Sequence, residues 1–419
     1  MEPDGWIYLD NNATTPLAPE VFEAMVPWLR DQFYNPSSAY EASRPARDAV
    51  ERARESVARL LGAGARSEVI FTSGATEANN AALWGSLRAN PDRNHVITSA
   101  VEHPAVLEVA KEIQRLGYRV TFLPVSTRGA LDPKDLLKAL TPDTAVVSLM
   151  HANNETGVIF PVGEMARMVK RADPKVLFHT DATQSVGKIR FRMETDFDAV
   201  DLLSLSAHKI HGPKGVGALF VRRGARWRPY LLGGHQERGR RAGTENVAGI
   251  VGLGKACDLA RESFLQEARL RELQRRLEQQ VRERIPRVLI NGDGADRLPN
   301  TSNFAFEFVE GEGILMALQD RRILASSGSA CTSGSLDPSH VLKAMGVPFT
   351  AAHGSLRIST SRYTTEAEID RLVEVLPEVI ASLRRISPYW DSERNAPREG
   401  VDLFVQGKYR EDATPPSGN

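Results

Sequence analysis

Short apolar runs alternate with amphipathic stretches over the first half of the chain, and this alternation predicts its architecture. Seven runs between Glu68 and Val221 are almost wholly apolar, and helical patterns separate most of them. Strands this apolar are buried on both faces, which is typical of a mainly parallel sheet covered by helices on each side. The predicted strands are residues 69–71, 96–98, 120–123, 145–149, 176–178, 199–203 and 216–221.

The second half of the chain has sparser strand signals and predicts a smaller α+β domain. A long helical pattern begins at Gly243 and runs past Arg271. Thr365 and Glu368 have the spacing of a capping box and should open a terminal helix. Between these helices lie predicted strands at residues 288–290, 303–308 and 356–358 and a helix near residues 313–319.

These patterns predict an α/β protein with two domains. We expect a large domain over residues 19–263 and a small one over residues 264–389, with the N-terminal segment 1–18 packing on the small domain. Residues 390–419 are polar and rich in Pro and Gly at their end, which is typical of a loosely held, flexible tail.

The amino-acid composition limits the classes of partner that the chain is expected to bind. The chain has 53 Lys and Arg residues and 53 Asp and Glu residues. Because these charges cancel, its net charge does not favour binding to nucleic acid or to a membrane surface. No apolar run approaches the ~20 residues that a membrane helix needs. The N-terminus has no basic, apolar leader, so the expected location is cytoplasmic. Two cysteines, Cys257 and Cys331, are too few for a disulfide framework or a structural zinc site.

Polar residues follow several predicted strands, where ligands bind in such sheets. Gly74, Ala75 and Thr76 open a helix after the first strand, and free N–H groups there would bind a phosphate. A capped helix with a convenient glycine is an equally good interpretation of this turn alone. His103 follows the second strand, where an imidazole could stack on a planar cofactor or exchange protons, although a lone histidine is more often structural. The amide-rich stretch 151–157 could bind a carboxylate or form only a turn.

An acid and a lysine that follow neighbouring strands favour a binding site over a purely structural interpretation of these residues. Asp181 ends a buried strand, where an unpaired carboxylate is costly, so it needs a cation such as a protonated pyridine nitrogen. Lys209 follows the next strand, within a turn rich in Gly and Pro. Together with the Gly74 turn, they supply the parts of a pyridoxal phosphate site.

With these residues in view, the chain resembles the group I cysteine desulfurases of the nitrogen-fixation branch, in the class V aminotransferase family of pyridoxal phosphate enzymes. The resemblance runs from Tyr8 to about Tyr363. It implies the fold type I of pyridoxal phosphate-dependent transferases, with a seven-stranded sheet in the large domain. It is carried by the motifs at residues 8–15, 71–77, 102–103, 151–157, 181–188, 206–209, 233–241 and 326–335.

The resemblance implies a role for each site residue. Lys209 would attach the cofactor covalently, His103 would stack on its ring, Asp181 would pair with the ring nitrogen, and Gln184 would bond the ring hydroxyl. Asn154, beside the cofactor, and Arg357 would bind the substrate carboxylate. The remaining contacts would go to phosphate: Ala75, Thr76, Ser206 and His208 within one subunit, and Thr244 reaching the cofactor of the other subunit in a homodimer.

Cys331 would be the nucleophile that takes sulfur from L-cysteine as a persulfide and leaves L-alanine. Eight of the ten residues from 326 to 335 are Ser, Gly or Ala, which predicts a mobile loop that can carry a thiol between two places. The sulfur would pass to a scaffold protein for iron–sulfur clusters, in particular those of nitrogenase, and Cys331 would transiently ligate a nascent cluster. No intrinsic metal site is implied.

Two alternatives stay open at this point. Selenocysteine lyase or another class V aminotransferase reaction could run on the same scaffold, and alanine formation without dependence on Cys331 would favour it. A non-enzymatic binding or scaffold protein that kept the fold would be expected to lack the lysine or the acid, and Lys209 and Asp181 are both present.

Overall fold

A computed structural model describes residues 5–327 and 338–398. The helices are α1 Pro19–Arg30, α2 Arg44–Leu61, α3 Ala75–Ala89, α4 Pro104–Arg115, α5 Pro133–Ala139, α6 Val162–Ala172, α7 Gln236–Gly239, α8 Val247–Ser263, α9 Glu267–Arg284, α10 Gly311–Gln319, α11 His340–Ala344, α12 Phe349–Ala352 and α13 Glu366–Ile386. The strands are β1 Ile7–Tyr8, β2 Val69–Thr72, β3 His95–Ser99, β4 Arg119–Leu123, β5 Thr144–Ser148, β6 Leu177–Asp181, β7 Leu202–Ser206, β8 Gly217–Val221, β9 Val288–Ile290, β10 Thr301–Phe306, β11 Ile323–Leu324, β12 Ser355–Ser359, β13 Trp390–Asp391 and β14 Ala396–Pro397. Within these two ranges, no helix combines the length and the apolar character needed to span a bilayer.

The predicted seven-stranded, mainly parallel sheet is confirmed. Its strand order is β2-β8-β7-β6-β5-β3-β4, and β8 alone runs antiparallel to its neighbours. Successive side chains of each strand pack on opposite faces: Phe71 and Phe178 face α1, α2 and α8, whereas Ile70 and Leu177 face the side covered by α3 and α4. This two-sided burial explains why the strands are apolar throughout.

Two of these strands end later than the sequence predicts. The apolar run at residues 176–178 continues as β6 through His179 to Asp181, and β7 likewise extends to Ser206. The ring of His179 makes cross-strand hydrogen bonds with the hydroxyls of Ser148 (2.8 Å) and Ser204 (2.9 Å). These bonds satisfy polar groups inside the sheet, so the strands tolerate them.

A second hydrophobic cluster is built by the C-terminal half. It packs α9, α10 and α13 on β10 and β12, and α13 begins with the predicted Thr365–Glu368 capping box. The long helix predicted from Gly243 is instead two helices, α8 and α9, separated by the 3-10 turn Phe264–Gln266. β1 pairs with β11, and Leu9 packs in this second cluster. The exact domain limits stay a prediction.

The first residues of the expected tail are structured. β13 and β14 form a hairpin in which Trp390 is buried and its ring lies 4.2 Å from the guanidinium carbon of Arg384. Cation–π contact and burial hold this hairpin on α13. Residues 399–419 lie outside the described part of the chain.

A buried ion pair fastens the segment around α7 to the large domain. Arg54 of α2 donates two hydrogen bonds to Glu237, at 2.6 and 2.7 Å, and Glu237 also accepts from the backbone N–H of Phe71 in β2. Both side chains are at most 5% exposed. Glu237 takes a φ of +48°, which a non-glycine residue adopts only when its surroundings hold it there.

Replacing Glu237 by Ala should therefore destabilise the protein strongly. The substitution removes two charge-assisted hydrogen bonds from the buried Arg54 guanidinium, which keeps only the partly exposed Glu51 and the carbonyl of Val69 as partners. We expect the free energy of unfolding to fall by about 3 kcal/mol, measured by urea titration of the cofactor-free protein. Glu272→Ala, which removes an exposed partner of Arg275 on α9, should change it by less than about 0.5 kcal/mol. Equal effects of the two substitutions would contradict this account.

Candidate active site

The carboxyl ends of the parallel strands meet at one edge of the sheet, and a cavity of about 550 Å³ lies there. The structure thus brings together side chains that come from separate strand ends of the sequence. Nine of the predicted site residues line this cavity: Ala75, Thr76, His103, Asn154, Asp181, Gln184, Ser206, His208 and Lys209.

One end of the cavity is shaped by a close approach of two glycines. Gly217 begins β8 beside Gly74, the N-cap of α3, and a Cβ at Gly217 would lie 2.8 Å from the carbonyl carbon of Gly74. Only glycine fits such a contact. Because α3 has no side-chain cap, the N–H groups of its first turn at Ala75 and Thr76 are available to a ligand. This helix start suits an anion.

Further donors surround the same end. His208 lies 3.1 Å from the hydroxyl of Thr14, and burial, assisted by Lys209 and Lys214, lowers its pKa to about 4. Its imidazole is therefore neutral at pH 7, and Lys214 also lines the cavity. Neutral N–H and hydroxyl donors beside lysine side chains can bind a phosphate without burying excess charge.

Lys209 follows β7 in a 3-10 turn, Ala207–Lys209, and its amine lies in the middle of the site. The Nζ atom donates to the backbone carbonyls of Asn12 and Ala13, each at 2.6 Å. Burial is the main cause that lowers the pKa of Lys209 to about 8, and the charge of Arg357 adds to it. A sizeable fraction of this amine is therefore uncharged near neutral pH, the form that attacks a carbonyl.

Asp181 ends β6 and is 6% exposed. Its carboxylate accepts hydrogen bonds from the side-chain amide of Asn79 (2.7 Å) and from the backbone N–H of Thr183 (2.9 Å). These bonds hold the carboxylate in place but leave lone pairs for a cationic partner in the cavity. Sequence reasoning missed Asn79, because it stands beside the polar Glu77 and Asn80 in α3 and only the structure shows that it is fully buried.

His103 is the N-cap of α4, and its Nδ1 accepts from the backbone N–H of Ala105 at 3.1 Å. This contact assigns the ring proton to Nε2. Burial lowers the pKa of His103, so the ring is neutral at pH 7. Beneath it, Glu102 is fully buried and accepts from the Ser99 hydroxyl (2.7 Å) and from the N–H of Met150. Burial raises the pKa of Glu102 to about 8, which sequence reasoning did not anticipate.

Gln184 is fixed by the N-terminal turn. Its Nε2 donates to the carbonyl of Asn12 at 3.0 Å, the same carbonyl that accepts from Lys209, and its Oε1 accepts from Lys188 at 2.7 Å. Asn12 and Lys188 were not among the predicted site residues, although both belong to motifs that carry the resemblance. The contacts with Asn12 join residues more than 170 positions apart in the chain, which no local pattern reveals, whereas Lys188 lies only four residues from Gln184.

Arg357 lies on β12, next to the cavity wall. Its guanidinium donates to Oδ1 of Asp10 (2.6 Å) and to the carbonyl of Asn154 (3.1 Å), while its buried Nε has no hydrogen-bond partner. An unpaired buried N–H is costly, so this fork retains a donor for a carboxylate. Asp10, which orients the fork, was also missed by sequence reasoning.

Among the described residues, two predicted site residues do not line this cavity: Arg357, which borders it through Asn154, and Thr244. Thr244 is exposed and lies apart from its wall, so its contact with a second subunit stays a prediction. Cys331 lies outside the described residues, as does most of the predicted loop 326–335. Cys257 is fully buried in α8, where burial raises the pKa of its thiol.

This donor set fits a planar aromatic aldehyde that carries a phosphate. The uncapped start of α3 suits the phosphate, the buried carboxylate of Asp181 suits a protonated ring nitrogen, and the low pKa of Lys209 suits bonding to an aldehyde. All three groups line one cavity.

Comparisons with known proteins show the family of the chain. Residues 7–372 match the family model described as aminotransferase class-V. The chain is 54% identical to a cysteine desulfurase of Trichormus azollae, over 92% of this chain and 96% of the relative. It is 50% identical to cysteine desulfurase NifS of Azotobacter vinelandii, over 94% of this chain and 96% of the relative. A solved structure titled as a NifS-like protein aligns with a TM-score of 0.84 at 38% identity, over 90% of this chain and all of that one. The chain therefore belongs to the class V aminotransferase family.

Proposed function

We propose that this protein is a cysteine desulfurase that depends on pyridoxal phosphate and supplies sulfur for iron–sulfur cluster assembly, with nitrogenase as its destination. The observation that carries the proposal is the meeting of Lys209, Asp181 and the uncapped start of α3 in one cavity. The names of relatives that are at least half identical over nearly the whole chain supply the reaction. The acceptor is a scaffold protein, and the enzyme works as a cytoplasmic homodimer in which Thr244 reaches the partner's site.

The cavity residues would hold the cofactor in one orientation. Lys209 would bind it covalently, the neutral ring of His103 would stack on it, and Gln184 would donate to its ring oxygen. When bound, pyridoxal phosphate accepts the electrons released at the substrate's α-carbon, provided that its ring nitrogen stays protonated. Asp181 maintains that proton, and the amide of Asn79 keeps the carboxylate aimed at it.

Ala75, Thr76, Ser206 and His208 anchor the phosphate. The N–H groups at the start of α3 and the two side-chain donors form this subsite within a single chain. They fix the distance of the cofactor from Lys209.

Arg357 binds the carboxylate of L-cysteine, and Asn154 lies beside the same group. Asp10 keeps the guanidinium fork in position from behind. A bidentate Arg–carboxylate contact would orient the amino acid for reaction.

Two groups can move the protons. The amine of Lys209, with its pKa near 8, can take the α-proton and return one to the product. The neutral His103 carries its proton on Nε2 and can serve the same exchange. Burial is the main cause that lowers the pKa of each group.

Cys331 completes the reaction. Its thiolate attacks the sulfur of the substrate, a sulfur–sulfur bond forms, and the bond from that sulfur to the β-carbon breaks. The electron pair of the broken bond takes up a proton, so one thiol and one cysteine become one persulfide and one alanine. The persulfide then passes its outer sulfur to the scaffold protein.

The pH at which Lys209 reacts tests the cofactor assignment. The uncharged amine is the nucleophile, so covalent attachment of pyridoxal phosphate to the cofactor-free protein should speed up as pH rises, with a midpoint near 8. An ordinary lysine would give a midpoint near about 10.4. Stopped-flow absorbance measures this rate.

Lys209→Ala is the control for this experiment. It should abolish the absorption band of the covalently bound cofactor at every pH. A retained band, or a wild-type midpoint near that of an ordinary lysine, would overturn the assignment.

Exchanging each cysteine in turn tests the reaction. Cys331→Ser should lower alanine formation from L-cysteine by at least about a hundredfold, since it removes the nucleophile. Cys257→Ala should retain it, because that thiol is buried in α8 away from the cavity. Quantifying alanine in each variant makes the comparison.

Undiminished alanine formation in Cys331→Ser would contradict the proposal. It would favour a selenocysteine lyase or aminotransferase-type reaction on the same scaffold.

A further inference from the structure

We propose that Lys188 is a positioning residue that sets the orientation of the Gln184 amide in the cofactor site. This inference rests on the proposed function, since it concerns how the chain presents a donor to pyridoxal phosphate. It assigns a role to a buried lysine that takes no part in the mechanism above.

Lys188 reaches two side-chain oxygens from behind the cavity. It lies four residues after Gln184 in the turn that follows β6, and its Nζ donates to Oε1 of Gln184 (2.7 Å) and to Oδ1 of Asn12 (2.9 Å). Both acceptors are amide oxygens. Among the described residues, no carboxylate lies within ion-pair distance of this amine in the structure.

A lysine beside Gln184 determines which end of the side-chain amide, oxygen or nitrogen, faces it. The oxygen and nitrogen ends of Gln184 have the same shape, so either could face Lys188. A lysine ammonium only donates, and it can stabilise only the orientation with the oxygen end towards it. The backbone carbonyl of Asn12 can only accept a hydrogen bond, so it stabilises the orientation in which Nε2 of Gln184 faces it.

The two contacts together leave one arrangement. Oε1 of Gln184 is bonded to Lys188, and the NH₂ group is bonded through one hydrogen to the carbonyl of Asn12. The second hydrogen of that NH₂ group is the donor left for the cavity that Gln184 lines. Donation to the ring oxygen therefore depends on Lys188.

Asn12 is oriented by the same amine. Its Oδ1 accepts from Lys188 and from Asn300 (3.2 Å), and its Nδ2 donates to Thr301 (2.9 Å) and to the carbonyl of Asn154 (3.1 Å). The Asn12 carbonyl that contacts Gln184 also accepts from Lys209. Lys188 thus holds the turn against which both cavity groups are placed.

Either protonation state of Lys188 can do this. Burial, together with the charges of Lys209 and Arg357, lowers the pKa of Lys188 well below its ordinary value. The ammonium has three N–H donors and the neutral amine has two, so either form can bond both amide oxygens without a counterion. The neutral amine also has a lone pair that could accept from Nε2, and in that form the carbonyl of Asn12, which accepts from Nε2, excludes the reversed amide.

A double-mutant cycle on cofactor binding tests the inference. Binding of pyridoxal phosphate to the cofactor-free protein is followed by tryptophan fluorescence, a readout that does not require turnover. Lys188→Met should weaken binding about ten- to a hundredfold, because a Gln184 that can rotate loses its hydrogen bond to a charged oxygen. Gln184→Ala should weaken it similarly, and the double variant should bind no more weakly than Gln184→Ala alone.

Two further variants serve as controls for this experiment. Lys134→Met removes an exposed lysine on α5 and should leave binding unchanged. Lys188→Gln keeps an N–H donor for Oε1, so it should bind within about threefold of the wild type and decides the question even if Lys188→Met does not fold. Thermal unfolding of each cofactor-free variant reports folding separately.

Three results would overturn the inference: wild-type affinity in Lys188→Met, fully additive losses in the double variant, or a Lys188→Gln variant that binds as weakly as Gln184→Ala. Failure of the wild-type protein itself to bind pyridoxal phosphate would instead refute the proposed function.

Discussion

The structure depends on how a carboxylate is kept at the end of a buried strand. Asp181 is almost inaccessible, and in residues 5–327 and 338–398 its contacts are an amide and a backbone N–H. Burying a carboxylate costs several kcal/mol unless a cation compensates it. Lys209 supplies part of that charge from the turn after the next strand, and the charge of Asp181 in turn raises the pKa of this lysine against the effect of burial. A protonated ring nitrogen of the proposed cofactor would supply the rest, so one electrostatic requirement would account for both the site and the cofactor that we propose for it.

A polar turn near the N-terminus joins the two halves of the molecule at this site. Asn12 contacts Lys188, Lys209 and Gln184 from the large sheet, and Thr301 from β10. Arg357 of β12 is oriented by Asp10 in the same turn. The group that would bind substrate and the groups that would bind cofactor are therefore placed by a single segment. Buried networks of this kind define geometry well only when every member is bonded, and here most are.

Much of this could be predicted from the sequence because it follows from local patterns. Apolar runs marked all seven strands of the sheet, and polar residues at their ends marked His103, Asp181 and Lys209. The hairpin at Trp390 is local, but its polar sequence gives no strand signal and it is held by the contact with Arg384. The direction of β8 and the extension of β6 through His179 depend on partners on other strands, so periodicity could not show them. The same holds for Asn79, Asp10 and Lys188, whose roles come from contacts that span roughly a hundred residues or more, or from an amide's orientation.

The central claim is that sulfur leaves cysteine and becomes bound to Cys331. Mass spectrometry of peptides from the cofactor-loaded protein, taken after incubation with L-cysteine and alkylation, tests it most directly. The account predicts one added sulfur atom on the peptide that contains Cys331 and none on the peptide that contains the buried Cys257. An unmodified Cys331 peptide, recovered while alanine accumulates, would contradict it.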